Sequence, residues 1–247
     1  MAALLHSFSL LLLERGDNAL ARDMLAKSLA LWERAGDNAG QARALNSMGV
    51  AYRSLGDAGR ARSLLQRSVD LARSTDNLQH QATALTNLAL LEIDDGRPEA
   101  ALLRLAEAER IDTALGNAWG VTADRANRVA ALLASGRTGE AVTLLPDLAD
   151  TVNDHGDLDL TLGVIELAAY AASTLGHHEQ ALRLAACADE QRTIDDIPLS
   201  DLDRAFLNRQ LAVSREALGD SAGQAALHGR PLTVPEALAQ AATLTAT

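Results

Sequence analysis

Cysteine occurs once, at Cys187, so the chain cannot close a disulfide on itself, and no secretory framework is implied. Aromatic residues make up 2% of the 247, which leaves Leu, Ala and Val to build the core and provides no platform for stacking nucleic-acid bases. Lysine is nearly absent too, with Lys27 alone. The 22 basic residues are outnumbered by 33 acidic ones, giving a formal net charge of −11. A surface that displaces counterions from a duplex needs clustered Lys and Arg, so no direct nucleic-acid binding is expected. The N-terminus, Met1-Ala-Ala-Leu-Leu-His, lacks the basic start of a signal peptide, and the run Leu10–Leu13 ends at Glu14-Arg15, far short of a membrane span. The expectation is a soluble, cytoplasmic chain with no membrane partner.

What is present is helix-forming residue and rhythm. Hydrophobic residues account for 48%, dominated by the strong helix formers Ala and Leu, while β-branched and aromatic strand formers are sparse. Glycine stands at 16, 36, 56, 96, 116, 136, 156 and 176, steps of 20 with one double step whose midpoint holds Asp76. The residue after each beat is polar: Asp17, Asp37, Asp57, Asn77, Arg97, Asn117, Arg137, Asp157 and His177. A glycine just past a helix takes the left-handed turn that closes it, and Asp or Asn then caps the next helix. The beat predicts helices of about 16 residues, roughly 24 Å long, near 18–35, 38–55, 58–75, 79–95, 98–115, 118–135, 138–155, 158–175 and 178–192.

Character alternates between successive intervals, so the structural unit is two of them, from Gly16 to Gly56 for example. At that period Leu45, Leu85 and Ile165 correspond, as do Met48, Leu88 and Ala168, and Ala61, Ala101, Ala141 and Ala181. Apolar residues at i, i+3, i+4 and i+7 put one face of each helix inward, and the small residue recurring mid-helix (Gly49, Ala89, Val129, Ala169) lets backbones cross closely. These are antiparallel helical hairpins stacked in a row.

The phrase Leu45-x2-Met48-Gly49-x2-Tyr52 followed by Ala61-x3-Leu65 resembles the tetratricopeptide pattern W-x2-L-G-x2-Y … A-x3-F. Ala84-Leu85-Thr86-Asn87-Leu88-Ala89 repeats it. The 40-residue period, and the phrasing of Glu33-Arg34-Ala35-Gly36-Asp37-Asn38-Ala39-Gly40-Gln41-Ala42, are similar to the sensor regions of large bacterial signal-transduction ATPases, including MalT-like and LuxR-type regulators. The resemblance covers roughly residues 1–228. It implies an all-α, right-handed α–α superhelix of about five hairpins with capping helices.

Beyond the beat, Asp195-Asp196-Ile197-Pro198-Leu199 reads as a loop, and Ser200 with Asp203 caps a further helix ending at Leu218-Gly219-Asp220. Gly229 to Glu236 resembles the closing phrase of the same sensor regions. Thr233 and Glu236 have capping-box spacing, with Pro235 in the first turn of a final helix near 234–244. The division expected is a repeat domain over 1–228 and a capping helix and tail over 229–247. No phosphate-binding G-x-x-x-x-G-K-[ST] loop occurs, so the ATPase module of the regulators is not in this sequence.

Little here suggests catalysis. His177-His178-x8-Cys187 has no second cysteine to complete a zinc site, and Cys187 among alanines reads as a small buried side chain. The pairs Asp94-Asp95 and Asp195-Asp196 lie at turns, where neighbours do not face each other. The expectation is no enzyme, no cofactor and no metal. In the resembling family the first helix of each pair lines a peptide-binding hollow, which points to Asn87 and Asn127, with Ser47 and Leu167 at matching positions. Arg43, Asn46 and Arg53 share the helix of Ser47 and face the same hollow. The function implied is protein or peptide binding within a transcriptional or signalling regulator, as its sensor or adaptor part; the alternative is a small-molecule sensor that changes curvature.

Two breaches of the pattern carry further expectations. Leu4, Leu5, Phe8 and Leu10–Leu13 are too many apolar residues for one buried stripe, so the first helix is expected to meet a second copy or an upstream domain. Glu92 stands where the previous unit has Tyr52, Arg128 where others have Met48 and Leu88, and Arg125 where they have Leu45 and Leu85. An unpaired buried charge costs several kcal/mol, so Glu92 is expected to pair with Arg125 or Arg128.

Overall fold

A computed structural model describes residues 1–222 and 231–245. Among them are twelve α-helices and no strand: α1 (Ala2–Glu14), α2 (Asn18–Ala35), α3 (Asn38–Ser54), α4 (Ala58–Ser74), α5 (Leu78–Asp94), α6 (Pro98–Leu115), α7 (Ala118–Ala134), α8 (Thr138–His155), α9 (Leu158–Thr174), α10 (His178–Ile194), α11 (Asp201–Leu218) and α12 (Val234–Ala242). The predicted helices are present, with ends shifted by two residues at most.

Each beat glycine adopts positive φ, from 66° at Gly36 to 80° at Gly16 and Gly176. Asp76 takes the same conformation at φ 51°, and so does Asp196 at φ 53°. The beat therefore runs one step further than the glycines suggest. Aspartate tolerates the left-handed region because its short carboxylate can bond locally. After the turn, Asp37, Asp57, Asn77, Asn117 and Asp157 each accept the backbone N–H three residues on, at 2.8–3.2 Å. Asp17, Arg97, Arg137 and His177 make no such side-chain bond.

The chain divides into two compact units, Met1–Asp124 and Arg125–Thr247. The expected boundary at 228/229 lies outside the described residues. In the first unit consecutive helices α1 to α6 pack in antiparallel sequence, and the odd-numbered helices also touch one another, α1 on α3 and α3 on α5. Leu25, Leu45, Leu65, Leu85 and Leu105, one per beat, are all buried. Ser28 donates to the Ala2 carbonyl at 2.9 Å and Ser68 to the Ala42 carbonyl at 2.7 Å. Both serines are buried, and each bond satisfies a hydroxyl that would otherwise lie unpaired inside a hairpin stack.

In the second unit α8, α9, α10 and α11 stack around Leu145, Leu162, Ile165 and Leu184. Arg192 on α10 is buried and grips Glu166 on α9, with Nε 2.7 Å from Oε1 and a terminal nitrogen 3.3 Å from Oε2. Its other terminal nitrogen donates to Asp159 at 2.7 Å. Helix α12 opens with the expected Thr233–Glu236 capping box and buries Ala237, Leu238 and Ala241 as it packs on α8, α9 and α10.

Two helix-interior glycines give opposite expectations. A Cβ at Gly49 would lie 2.5 Å from Leu65 Cγ, whereas one at Gly163 meets nothing within 4 Å. Gly163→Ala should stabilise its unit by about 0.5–1 kcal/mol through helix propensity. Gly49→Ala should destabilise by about 1–3 kcal/mol, because overpacking outweighs the same gain. Urea denaturation of both variants checks the pair of signs.

Candidate functional site

The odd-numbered helices of the first unit form a row joined by polar rungs. At 100° per residue, Ser47 and Asn46 fall on opposite flanks of α3, with Arg43 and Val50 between them. Ser47 Oγ lies 3.1 Å from His6 Nε2 on α1, and Asn46 Oδ1 accepts from Asn87 Nδ2 on α5 at 3.0 Å. Two turns further along α3, Arg53 forms an ion pair with Asp94 of α5, both side chains mostly buried. Each rung joins residue n to n+41, the repeat length plus one. Between the rungs Leu10, Val50 and Leu90, forty residues apart, are half-buried or exposed. The row thus presents an apolar strip flanked by amide, imidazole and guanidinium groups.

Of the residues expected in the hollow, Arg43 is exposed with its guanidinium 5.8 Å from the centre of the Trp32 ring. Asn46, Asn87 and Arg53 are partly buried and hydrogen-bonded across the row. Asn127, in the second unit, is partly buried on α7. The histidines were not foreseen. Both His6 and His80 are held below the ordinary imidazole value, by burial above all and then by the positive Arg43. For His6, the signal is the offset of 41 that also aligns Asn46 with Asn87.

Of the expected charge cluster, Glu92 belongs to the first unit and Arg125 and Arg128 to the second. Glu92 is 3% exposed, as its position opposite Tyr52 predicted, but its nearby cations are Arg62, Arg97 and Arg104, at 3.6, 3.9 and 3.8 Å. Burial raises its pKa and the arginines Arg104 and Arg62 oppose the rise. Arg125 and Arg128 are exposed, so they do not fill the interface places held by Leu45 and Met48. Long guanidinium side chains reach water from such positions at little cost. Arg62 also forms an ion pair with Asp95 in the turn after α5.

A second buried carboxyl gives no sign of itself in the sequence. Asp124 occupies the place of Ala44 and Ala84 and is 1% exposed. Its Oδ1 accepts from Thr86 at 2.6 Å, while Oδ2 is buried with no hydrogen-bond partner among the described residues. Burial, followed by Asp112 and Glu109 nearby and opposed by the Thr86 bond, pushes its pKa up to about 7.

In the second unit a shallow cleft of about 460 Å³ is lined by His177, His178, Glu179, Gln180, Arg183 and Gln240. His178 Nδ1 lies 3.1 Å from Ser214 Oγ, which donates to Ser173 Oγ at 2.7 Å. Cys187 is buried and its thiol pKa is raised by that burial. No group of three His, Cys, Asp or Glu side chains among the described residues could hold a metal ion. No helix among them is long and apolar enough to cross a membrane.

The tetratricopeptide-repeat family model matches residues 1–74. Two crystal structures of nearly identical TPR-like repeats from a putative kinesin light chain of Podosopora anserina are similar in fold. One, of a point variant of that protein, aligns at a TM-score of 0.59 and 17% identity, covering 78% of this chain and 95% of that one. The other aligns at 0.57 and 16%, covering 88% and 97%. No curated protein matches the sequence. The chain is thus an all-helical scaffold with the fold of TPR-like solenoids.

The protonation of Asp124 sets a pH dependence. Its folded-state pKa, about 7, lies above the ordinary 3.8, so the native state holds this proton more tightly than the unfolded chain. The stabilisation is complete below the unfolded value and is lost as pH rises through about 7. Asp124→Asn, which keeps the Thr86 acceptor and removes the charge, should flatten this part of the profile and raise the melting temperature at about pH 8. Thermal unfolding of both proteins between about pH 5 and 8 measures the difference.

Proposed function

We propose that the row of α1, α3 and α5 binds an extended peptide, and that the chain serves as the sensor or adaptor part of a bacterial transcriptional or signalling regulator. The observation that carries the peptide reading is the row of polar rungs. Apolar packing alone would not call for His6–Ser47, Asn46–Asn87 and Arg53–Asp94 along one face of an otherwise aliphatic stack. The Asn46–Asn87 bond leaves the Asn46 amide N–H groups and the Asn87 carbonyl without partners among the described residues. These are the donor and acceptor that a peptide backbone requires.

Dimensions fit such a ligand. Helices in contact lie about 8–10 Å apart and an extended chain rises about 3.3 Å per residue, so about three peptide residues pass each helix. Alternate side chains of the peptide meet the strip of Leu10, Val50 and Leu90, while its backbone lies within reach of the asparagines. Arg43, an exposed cation two turns before Val50 on α3, favours acidic residues in the ligand. The regulator role draws on the resemblance of Glu33–Ala42 to the sensor regions of bacterial signal-transduction ATPases.

A peptide selected from a displayed library against the full chain, then titrated by calorimetry, tests the reading. Asn46→Ala and Asn87→Ala should each weaken binding about five- to tenfold, the loss of one backbone hydrogen bond. Arg67→Ala, an exposed change on α4, should leave it unaltered. Equal affinity across all three variants would remove the groove from consideration.

A further inference from the structure

Of the two arginines on α3, Arg53 is paired with Asp94, whereas Arg43 makes no ion pair among the described residues. Acids outnumber bases 33 to 22 in the chain, yet α3 contains none, and those of α1 and α5 (Glu14, Glu92 and Asp94) stand in the last turns, at the Arg53 end of the row. Arg43 is also held in place. Gly40, one turn earlier, is buried, and a Cβ there would lie 2.4 Å from the Trp32 ring. Glycine at 40 thus lets the indole lie against α3, and the Arg43 guanidinium sits 5.8 Å from the ring centre. Stacking engages the face of a guanidinium and leaves its in-plane N–H donors free for an anion.

Two partly buried imidazoles flank this cation. His6 of α1 is fixed by Ser47, one turn beyond Arg43, with Nε2 3.1 Å from Oγ. His80 stands in the first turn of α5, where the offset of 41 sets it beside Ala39, one turn before Arg43. Besides burial, the charged groups that favour the neutral form of His6 are Arg43 and then His80, and for His80 Arg43 alone. No carboxylate of α2, α4 or α6, which pack against these helices, is among the groups acting on either ring. One guanidinium and two imidazoles therefore meet from three helices without a counter-charge among the described residues.

We propose that Arg43, His6 and His80 form an oxyanion site, which takes a carboxylate or phosphoryl group on the guanidinium and draws protons from solvent onto the imidazoles as it binds. An anion placed among the three reverses the field that the rings feel, because a nearby opposite charge favours the protonated imidazole. Binding then takes up protons and tightens as pH falls. The site lies on the row proposed to hold a peptide and rests on that reading for its occupant, an acidic or phosphorylated side chain. Simple anions test it without a peptide.

Sulfate and acetate keep a fixed charge between about pH 6 and 8, so any pH dependence of their binding belongs to the protein. Each is titrated into the full chain and followed by the ring-proton resonances of the histidines. Affinity should be at least about tenfold higher at pH 6 than at pH 8, with His6 and His80 titrating at higher pH when the anion is present. A response to either anion supports the site, and the stronger one names the group it prefers. Arg43→Gln should abolish the response and, with no anion present, let both rings titrate at higher pH. His6→Gln with His80→Gln should keep binding on Arg43 and remove its pH dependence. Arg60 is likewise stacked, 5.5 Å from the centre of the Tyr52 ring, but is paired with Asp57, and Arg60→Gln should change nothing. Affinity that does not vary with pH, or that survives Arg43→Gln, overturns the proposal. Peptide affinity indifferent to Asn46 and Asn87 overturns the peptide reading alone, so the two are decided separately.

Discussion

Each hairpin depends on reversing the chain within about three residues, and in every repeat turn a residue at positive φ stands one or two positions after the helix end. A β-carbon in the left-handed region costs roughly 1 kcal/mol or more for most residues, and in this chain the requirement recurs from Gly16 to Asp196. Glycine meets it at eight of the beat positions, and aspartate at 76 and 196. Because the turns are uniform, the helices between them are nearly uniform in length, and equivalent side chains return to equivalent places. Leu25, Leu45, Leu65, Leu85 and Leu105 form the core at that spacing, and Ser28 and Ser68 reach equivalent carbonyls forty residues apart.

That register organises the polar chemistry as well. Neighbouring odd-numbered helices meet with an offset of 41, so a hydrogen-bonding pair fits when its members are one repeat plus one residue apart. The same offset joins Ser173 to Ser214 in the second unit. Side chains in these rungs are partly buried yet polar, which places hydrogen-bonding capacity on a surface whose helices are otherwise held by aliphatic contacts.

The fold was legible in the sequence because glycine position and capping residue are local signals with local consequences. Helix ends came out within two residues, and the Ser200 and Thr233 caps formed where their spacing indicated. Ionic partners were less legible. The depth of Glu92 followed from its alignment with Tyr52, but its cations come from α4, α6 and the turn between α5 and α6, whose side-chain reach the repeat period does not encode. Arg125 and Arg128 occupy apolar positions in the pattern, and length and flexibility let their charged ends reach solvent. Asp124 is not legible in the sequence, because a carboxyl in an alanine position gives no periodic signal and its neighbours Thr86, Glu109 and Asp112 come together only in three dimensions. Arg43 between two histidines likewise joins three helices that no short motif connects.

The turn geometry has a consequence for how such a chain can change length. Removing residues 37–76 would bring Gly36 directly before Asn77, a left-handed glycine followed by a capping asparagine, as Gly116 and Asn117 already are. Helix α2 would then face α5 across the apolar contact that α4 now makes, with Leu25 in place of Leu65. The segment between one odd turn and the next is thus an interchangeable cassette, whose two ends match each other as well as their neighbours. Duplication or loss of whole cassettes alters the span of the scaffold while leaving each junction chemically familiar. A gain or loss out of step with the cassette places a β-carbon in a glycine turn and a charge in a leucine seam.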